Sequence, residues 1–291
     1  MKIDFQIIAA PMAGITDQPF RKILRLCNPD IPIMTEMISC HSITSKGGGR
    51  NDDVYFGDNV GAQIFGADPK LMGEAAKILQ ARGAAWIDLN MGCPVPKVAT
   101  RAGAGAFLMR DHKLAVRIME SVVGAVEIPV SIKTRLGWDE QHLDADDLLR
   151  VAAESGISFA SVHARTRAQG YSGKARWDEI PMPQKIPIIF NGDIKTAADV
   201  EAVKKLGAGG AMVGRALLGR PKLFGDISPK IPMLHFDFMT EYYGTAAARM
   251  FRKHAAWYAA GRAGANAFRQ RVNQIDAPME MKKVIEEFFT F

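Results

Sequence analysis

One thiol in this chain sits where it could do chemistry. Cys93 lies in the stretch DLNMGCPVPK (88–97), just past an apolar run, and Pro94-Val95-Pro96 keeps the following segment extended and out of a helix. A thiol in water has a pKa of about 8.5, so near neutral pH it is mostly protonated and can donate a proton as well as act as a nucleophile. A nucleophile calls for an adjacent base, and His163 falls on a different run. A proton donor needs only to be held over its target. Cys27 and Cys40 fit packing positions better than reactive ones.

Five polar residues end, or nearly end, short apolar runs: Gln63 in GAQIFG, Asn90 in IDLNMG, Lys133 in VSIKTR, His163 in SVHART and Asn191 in IIFNGD. Taken singly, each reads as a loop-capping amide, a satisfied core histidine or a lysine reaching solvent. Strand side chains alternate faces, so Ser131 and Lys133 oppose Val130 and Ile132, and Ser161 and His163 oppose Val162. The polar faces are expected to point inward and the apolar faces toward helices. A lysine, a histidine and several amides gathered together are costly to desolvate unless they meet a polar ligand.

Two later loops narrow that ligand. Asn191-Gly192-Asp193 and Gly214-Arg215 follow the last two runs, and glycine permits close main-chain approach while Arg215 can fork onto phosphate oxygens. Each glycine alone suits an ordinary turn; the pair favours a phosphorylated ligand of mononucleotide size. Ala10-Pro11-Met12-Ala13-Gly14 ends the first run with little side chain in the way, so its main chain can face a flat ring, although a rigid turn explains it equally well. Gly103-Ala104-Gly105 and Lys46-Gly47-Gly48-Gly49 lack the spacing of a dinucleotide motif and read as flexible loops.

These residues need elements to bring them together. Strands are expected at Ile7–Ala10, Ile33–Thr35, Gly61–Phe65, Trp86–Asn90, Val130–Lys133, Phe159–His163, Ile188–Asn191 and Ala211–Val213, with helical segments between most pairs. Residues 68–82 illustrate the helices. Asp68 can cap, Pro69 suits the first turn, Leu71, Met72, Ala75, Ile78 and Leu79 form one apolar face, and Gly83 ends it. Eight such repeats in about 225 residues predict a (β/α)₈ TIM barrel over 1–231, in preference to an open doubly wound sheet. In a barrel every strand ends at one mouth, which is how distant polar residues converge. Beyond about Pro232 the β-rich runs stop, predicting a small helical domain over 232–291 whose Arg249, Arg252, Lys253, Arg262, Arg269 and Arg271 are either a solvated face or an RNA-facing patch.

Bulk properties exclude several classes. The 291 residues are 48% hydrophobic, enough for a sizeable core, yet no stretch reaches the roughly 18 apolar residues of a membrane span. The N-terminal apolar patch is too short for a signal peptide, so a cytoplasmic protein with reduced thiols is expected. Three scattered cysteines make neither a disulfide framework nor a metal site. A net charge of +6 is compatible with a polyanionic partner without requiring one.

APMAGITDQPFR, GAQIFG, DLNMGCPVPKV, SIKTRLGW, VHARTRAQGYSG, IIFNGDI and MVGRALLGRP resemble, in order and spacing, the successive motifs of the tRNA-dihydrouridine synthases. RMFRKHAAWYAAG is similar to that family's C-terminal helical domain, and the bacterial B-type branch looks closest. The resemblance implies an FMN enzyme that reduces the C5=C6 bond of uridines in the tRNA D-loop, with NADPH (or NADH) as electron donor. By the same resemblance the flavin would be held by Pro11, Met12, Ala13, Gln63 and Lys133, with His163 nearby. Its phosphate would lie around Asn191, Gly192, Asp193, Gly214 and Arg215. Cys93 would be the general acid and Asn90 a uracil contact. A monomer that binds tRNA, with no metal and no membrane association, is the expectation. The tail is short for this family, residues 40–58 match none of its motifs, and no nicotinamide motif is visible. Other readings are a different FMN barrel, such as a dihydroorotate dehydrogenase or an ene-reductase, and an RNA-binding protein without catalysis.

Overall fold

The computed structural model describes residues 6–45, 59–99 and 102–289, the side chain of Lys97 apart. Lys46–Gly49, read above as a flexible loop, falls outside them. The chain divides into two compact units, Met1–Gly14 with Ile31–Gly214 and Ile15–Asp30 with Arg215–Phe291.

The first unit is a closed barrel of eight parallel strands in chain order. They are β1 (Ile7–Ala9), β2 (Ile33–Ser39), β3 (Val60–Phe65), β4 (Trp86–Asn90), β5 (Val130–Arg135), β6 (Phe159–His163), β7 (Ile188–Asn191) and β8 (Gly210–Val213). Every expected strand is present. β2 runs four residues past the expected end at Thr35, because its register shifts between Met34 and Met37 and the pairing with β3 resumes to Ser39.

The helices on this unit are α2 (Cys40–Thr44), α3 (Pro69–Ala81), α4 (Pro96–Ala99), α5 (His112–Val123), α6 (Ala145–Glu154) and α7 (Ala197–Lys205). Their starts follow from local chemistry. Asp68 accepts the N–H of Leu71 at 3.1 Å, Asp111 that of Leu114 at 3.0 Å, and Thr196 and Asp199 close a reciprocal capping box. Gly83 stops α3 with a φ of +96°. Between β6 and β7 there is no α-helix among the described residues; loops and one short turn, Trp177–Glu179, fill residues 164–187.

Ile8, Met34, Trp86, Phe159, Ile189 and Met212 pack together as one apolar cluster. Alternation places Phe159 on the same face as Ser161 and His163, so the expected rule of polar inside and apolar outside holds only toward the C-terminal strand ends. An apolar floor there leaves few buried polar groups to satisfy, the Trp86 Nε1 being one that finds no hydrogen-bond partner among the described residues. Gly61 is part of this fit, since a Cβ there would overlap the Trp86 indole.

The second unit contains α1 (Gln18–Cys27), α8 (Ile231–Tyr243), α9 (Ala247–Tyr258), α10 (Ala265–Asn273) and α11 (Pro278–Phe289). Its core joins Ile23 to Phe236, Phe251, Tyr258, Phe268, Val284 and Phe289. Asp17 caps α1 through the Phe20 N–H and also accepts the Tyr243 hydroxyl, both at 2.9 Å. His235 and His254 lie wholly inside, their rings 4.5 Å apart, and Tyr258 Oη is 3.1 Å from His235 Nδ1. Of the basic residues singled out above, Arg252 pairs with Asp276 at 2.9 Å and Arg271 with Glu287 at 2.6 Å.

Candidate active site at the barrel mouth

The parallel register sets Gln63 beside Asp88, Asp88 beside Ser131, Asn90 beside Lys133, Lys133 beside Ser161 and His163 beside Asn191. Strand alternation and these pairings bring all five strand-end residues to one face and one end of the barrel.

Cys93 sits immediately beyond Asn90 on a loop held at several points. Asn90 Oδ1 accepts the Cys93 N–H at 2.9 Å and the Gly92 N–H at 3.3 Å. Arg135 Nε donates to Gly92 O at 2.7 Å, and Cys93 O accepts the Ala106 N–H at 3.1 Å. The flexible-loop reading of Gly103-Ala104-Gly105 is therefore corrected. Ala104 and Gly105 are buried, and a Cβ on Gly105 would press on Cys93 O and Cβ at 3.1 and 3.2 Å, so the segment is a packed turn that backs the thiol loop. The Cys93 residue is half-buried, whereas Cys40 is fully buried.

Below the loop runs a connected polar chain. Asn90 Nδ2 donates to Gln63 Oε1 at 2.9 Å, Gln63 Nε2 to Asp88 Oδ2 at 2.7 Å, and Ser131 Oγ to Asp88 Oδ1 at 2.6 Å. Burial pushes the Asp88 carboxyl up to about 6, against the lowering effect of the Gln63 and Ser131 hydrogen bonds and of Lys133. Burial and the neighbouring Arg135 push the Lys133 ammonium down to about 8. Lys133 Nζ donates to Asn191 Oδ1 at 3.1 Å, and Asn191 Nδ2 donates to Met212 O at 2.8 Å.

Arg165, 1% exposed, organises the next sector. It donates to Ser172 O at 3.1 Å and Gly173 O at 2.7 Å, pairs with Asp193 at 2.6 Å, and places Nη1 3.3 Å from His163 Nε2. A guanidinium only donates, so His163 Nε2 is the acceptor and its proton resides on Nδ1. Asp193 has a φ of +55° and its carboxylate is engaged by Arg165 and the Ala175 N–H. Gly192 precedes it at φ +110°, and a Cβ there would strike the His163 ring.

At β1, Pro11 and Met12 are half-buried and Ala13 exposed, with the Gly14 N–H donating to Glu36 Oε1. Gly214 ends the first unit. Arg215 opens a short turn, Arg215–Leu217, in the second unit. A cavity of about 870 Å³ lined by Ser39, His41, Phe65, Lys70 and Arg117 lies apart from these side chains.

Several site residues were not singled out from sequence. Asp88 and Arg135 carried a usable signal, lying two residues before Asn90 and two after Lys133 on the same strand faces. Arg165 and Tyr171 did not, because they lie on an irregular loop; Arg135 nevertheless stacks over Tyr171 at 5.7 Å and donates to Thr166 O and Gly170 O.

A parallel eight-stranded barrel whose polar side chains converge at the C-terminal strand ends defines a TIM-barrel protein with its site at the mouth. Residues 7–291 match the sequence model of the family described as "Dihydrouridine synthase (Dus)". The "Probable tRNA-dihydrouridine synthase" of Rickettsia typhi is 38% identical over 99% of this chain and 96% of its own length. "tRNA-dihydrouridine synthase B" of Xanthomonas axonopodis pv. citri is 34% identical over 98% and 92%. The chain belongs to the dihydrouridine synthase family. Morphinone reductase in complex with tetrahydroNAD, 10% identical, shares the fold with a TM-score of 0.53 over 78% of this chain and 89% of that one. Among the described residues no helix is long and apolar enough to cross a membrane, and no three His, Cys, Asp or Glu side chains gather as a metal site.

Proposed function

We propose that this chain reduces the C5=C6 bond of uridines in the tRNA D-loop to 5,6-dihydrouridine, using FMN bound at the barrel mouth and NADPH (or NADH) as electron donor. The observation that carries this reading is the seating of Cys93 by Asn90, at the edge of the polar ring formed by Gln63, Lys133, His163 and Asn191.

The residues present fit a flavin mononucleotide. Lys133 Nζ has one partner among the described residues, and Ser161 Oγ is buried with none, so an acceptor-rich ring edge would be met by both. The Gly192-Asp193 turn, where any Cβ at 192 would close the space, suits a phosphate. Pro11, Met12 and Ala13 would offer main chain to the ring and Gln63 and Lys133 its polar edge, with His163 beside it. Asn191, Gly192, Asp193 and Gly214 would surround the phosphate.

When bound and reduced, the flavin supplies a hydride to uracil C6. Cys93 Sγ gives its proton to C5, and solvent reprotonates the resulting thiolate, which lies close to Lys133 and Arg135. Asn90 contacts the uracil and holds the Cys93 peptide. The uridine must leave its stack to reach this mouth, at a cost of a few kcal/mol. Residues 232–291 are assigned to tRNA, held through its backbone and shape.

The test is direct. Purified protein should be yellow with oxidised-flavin absorption, and with NADPH should form dihydrouridine in unmodified tRNA. A colourless protein that takes up no FMN overturns the proposal. Flavin without action on tRNA would favour another flavin-barrel oxidoreductase.

A further inference from the structure

Five hydrogen bonds join the barrel interior to the thiol loop with a defined direction. Ser131 Oγ and Gln63 Nε2 both donate to Asp88, at 2.6 and 2.7 Å. Because Gln63 must turn its nitrogen toward the carboxylate, its Oε1 faces Asn90 and accepts Nδ2 at 2.9 Å. Asn90 in turn must aim Oδ1 at the loop, where it accepts the Cys93 and Gly92 N–H groups. An amide can be inverted at little steric cost, so shape alone does not select this arrangement. The acceptor-only carboxylate at the buried end does.

We infer that Asp88 is a positioning residue: its ionised carboxylate, acting through Gln63 and Asn90, sets the amide polarity that holds the Cys93 loop. The inference rests on the role of Cys93 as proton donor proposed above, and adds a residue that touches neither substrate nor cofactor. A protonated Asp88 can donate to Gln63 Oε1. Gln63 then turns its nitrogen toward Asn90, Asn90 turns Oδ1 away from the loop, and Nδ2 meets the Cys93 N–H donor to donor, so both loop hydrogen bonds are lost.

The groups around Asp88 are few. Gln63 faces it from β3, Ser131 and the Lys133 ammonium from β5, and Asn90 lies two residues on along its own strand. The carboxyl is fully buried and pushed up to about 6, so protonation falls within an accessible range.

The experiment compares full-length wild type, Asp88→Asn and Ser131→Ala between pH 5 and 8. Two readouts are taken: the rate of Cys93 alkylation by iodoacetamide, located by peptide mass, and kcat and KM for tRNA reduction. Each variant's alkylation rate is divided by that of wild type at the same pH. Three results are expected. The Asp88→Asn ratio changes across pH 6. Its kcat at pH 7.5 falls about 3- to 10-fold with KM for tRNA unchanged, as a charge-assisted hydrogen bond becomes a neutral one. Ser131→Ala, which removes one donor to the carboxylate, moves the break to higher pH. A flat ratio with kcat equal to wild type overturns the inference. If Asp88→Asn does not fold, Ser131→Ala decides: a displaced break supports the inference and an unmoved one overturns it. Wild type that forms no dihydrouridine refutes the proposed function instead, and the alkylation readout still judges Asp88.

Discussion

Asn90 Oδ1 accepts the main-chain N–H of Cys93 at 2.9 Å, so the last side chain of β4 fixes the peptide that carries the thiol. Asn90→Ala removes this anchor. The expected result is a loss of turnover of about tenfold or more, the effect of losing the part-buried hydrogen bonds to the Cys93 and Gly92 N–H groups, each worth about 1 kcal/mol, together with a uracil contact. Steady-state kinetics on unmodified tRNA measure it, and undiminished kcat/KM would remove Asn90 from the site.

Cys93→Ala should retain flavin and flavin-dependent NADPH oxidation while losing most uridine reduction, because the ring contacts assigned above lie elsewhere. Absorbance spectra and dihydrouridine quantification separate the two. Full product formation by this variant would exclude the thiol as proton donor.

Arg165→Lys exchanges a planar fork for a point charge at a site that holds Ser172 O, Gly173 O, Asp193 and His163 together. Leaving the partly covered Asp193 carboxylate poorly matched is expected to cost about 3 kcal/mol. Weaker flavin retention should accompany a lower thermal midpoint, read by flavin release on dialysis and by melting. Unchanged values of both would show that the fork is dispensable.

Gly61→Ala inserts a methyl group into the Trp86 indole. Backbone shifts in a packed barrel floor should destabilise the chain by about 1–3 kcal/mol, visible as a lower urea midpoint followed by tryptophan fluorescence. Adding Trp86→Phe, which gives back volume, should recover part of the loss.

Acid should weaken the helical unit. Burial pushes His235 down to about 3 and holds His254 well below the ordinary histidine range. Both are neutral when folded, whereas the unfolded chain binds protons near pH 6.5, so stability is full above about pH 6.5 and is lost as pH falls toward 3. The slope approaches about 1.4 kcal/mol per pH unit for each histidine. Asp88 acts oppositely in the barrel unit. Its carboxyl, raised to about 6, adds stability as pH falls from about 6 toward 4. Urea titrations at several pH values, read on helical signal, should show His254→Phe flattening the acid loss; an identical slope in that variant would refute the assignment.

The strands were legible because each is a short β-rich run bounded by glycine or polar residues, and the count closing at eight selected a barrel. Asn90, Lys133, His163 and Asn191 were legible as site candidates because strand ends in a barrel must share a mouth. Thr35 was the weak point. The register shift beyond it depends on pairing with β3, which no local pattern encodes. The packed turn at Gly103–Gly105 was misread for a similar reason: its burial comes from contact with the Cys93 loop, distant glycine neighbours in sequence terms being invisible to local composition.

What the amino-acid sequence determined by itself is whatever depends on local preference and periodicity: strand alternation, capped helices, a stiff cysteine loop and the family motifs in their order. Tertiary structure decided which polar atoms meet. The orientation of Gln63 and Asn90, the proton on His163 Nδ1 and the elevated Asp88 carboxyl each follow from burial beside a specific donor or acceptor on a neighbouring strand or loop. Hydrogen bonding is directional and desolvation acts over a few ångströms, so these properties exist only once the barrel has closed.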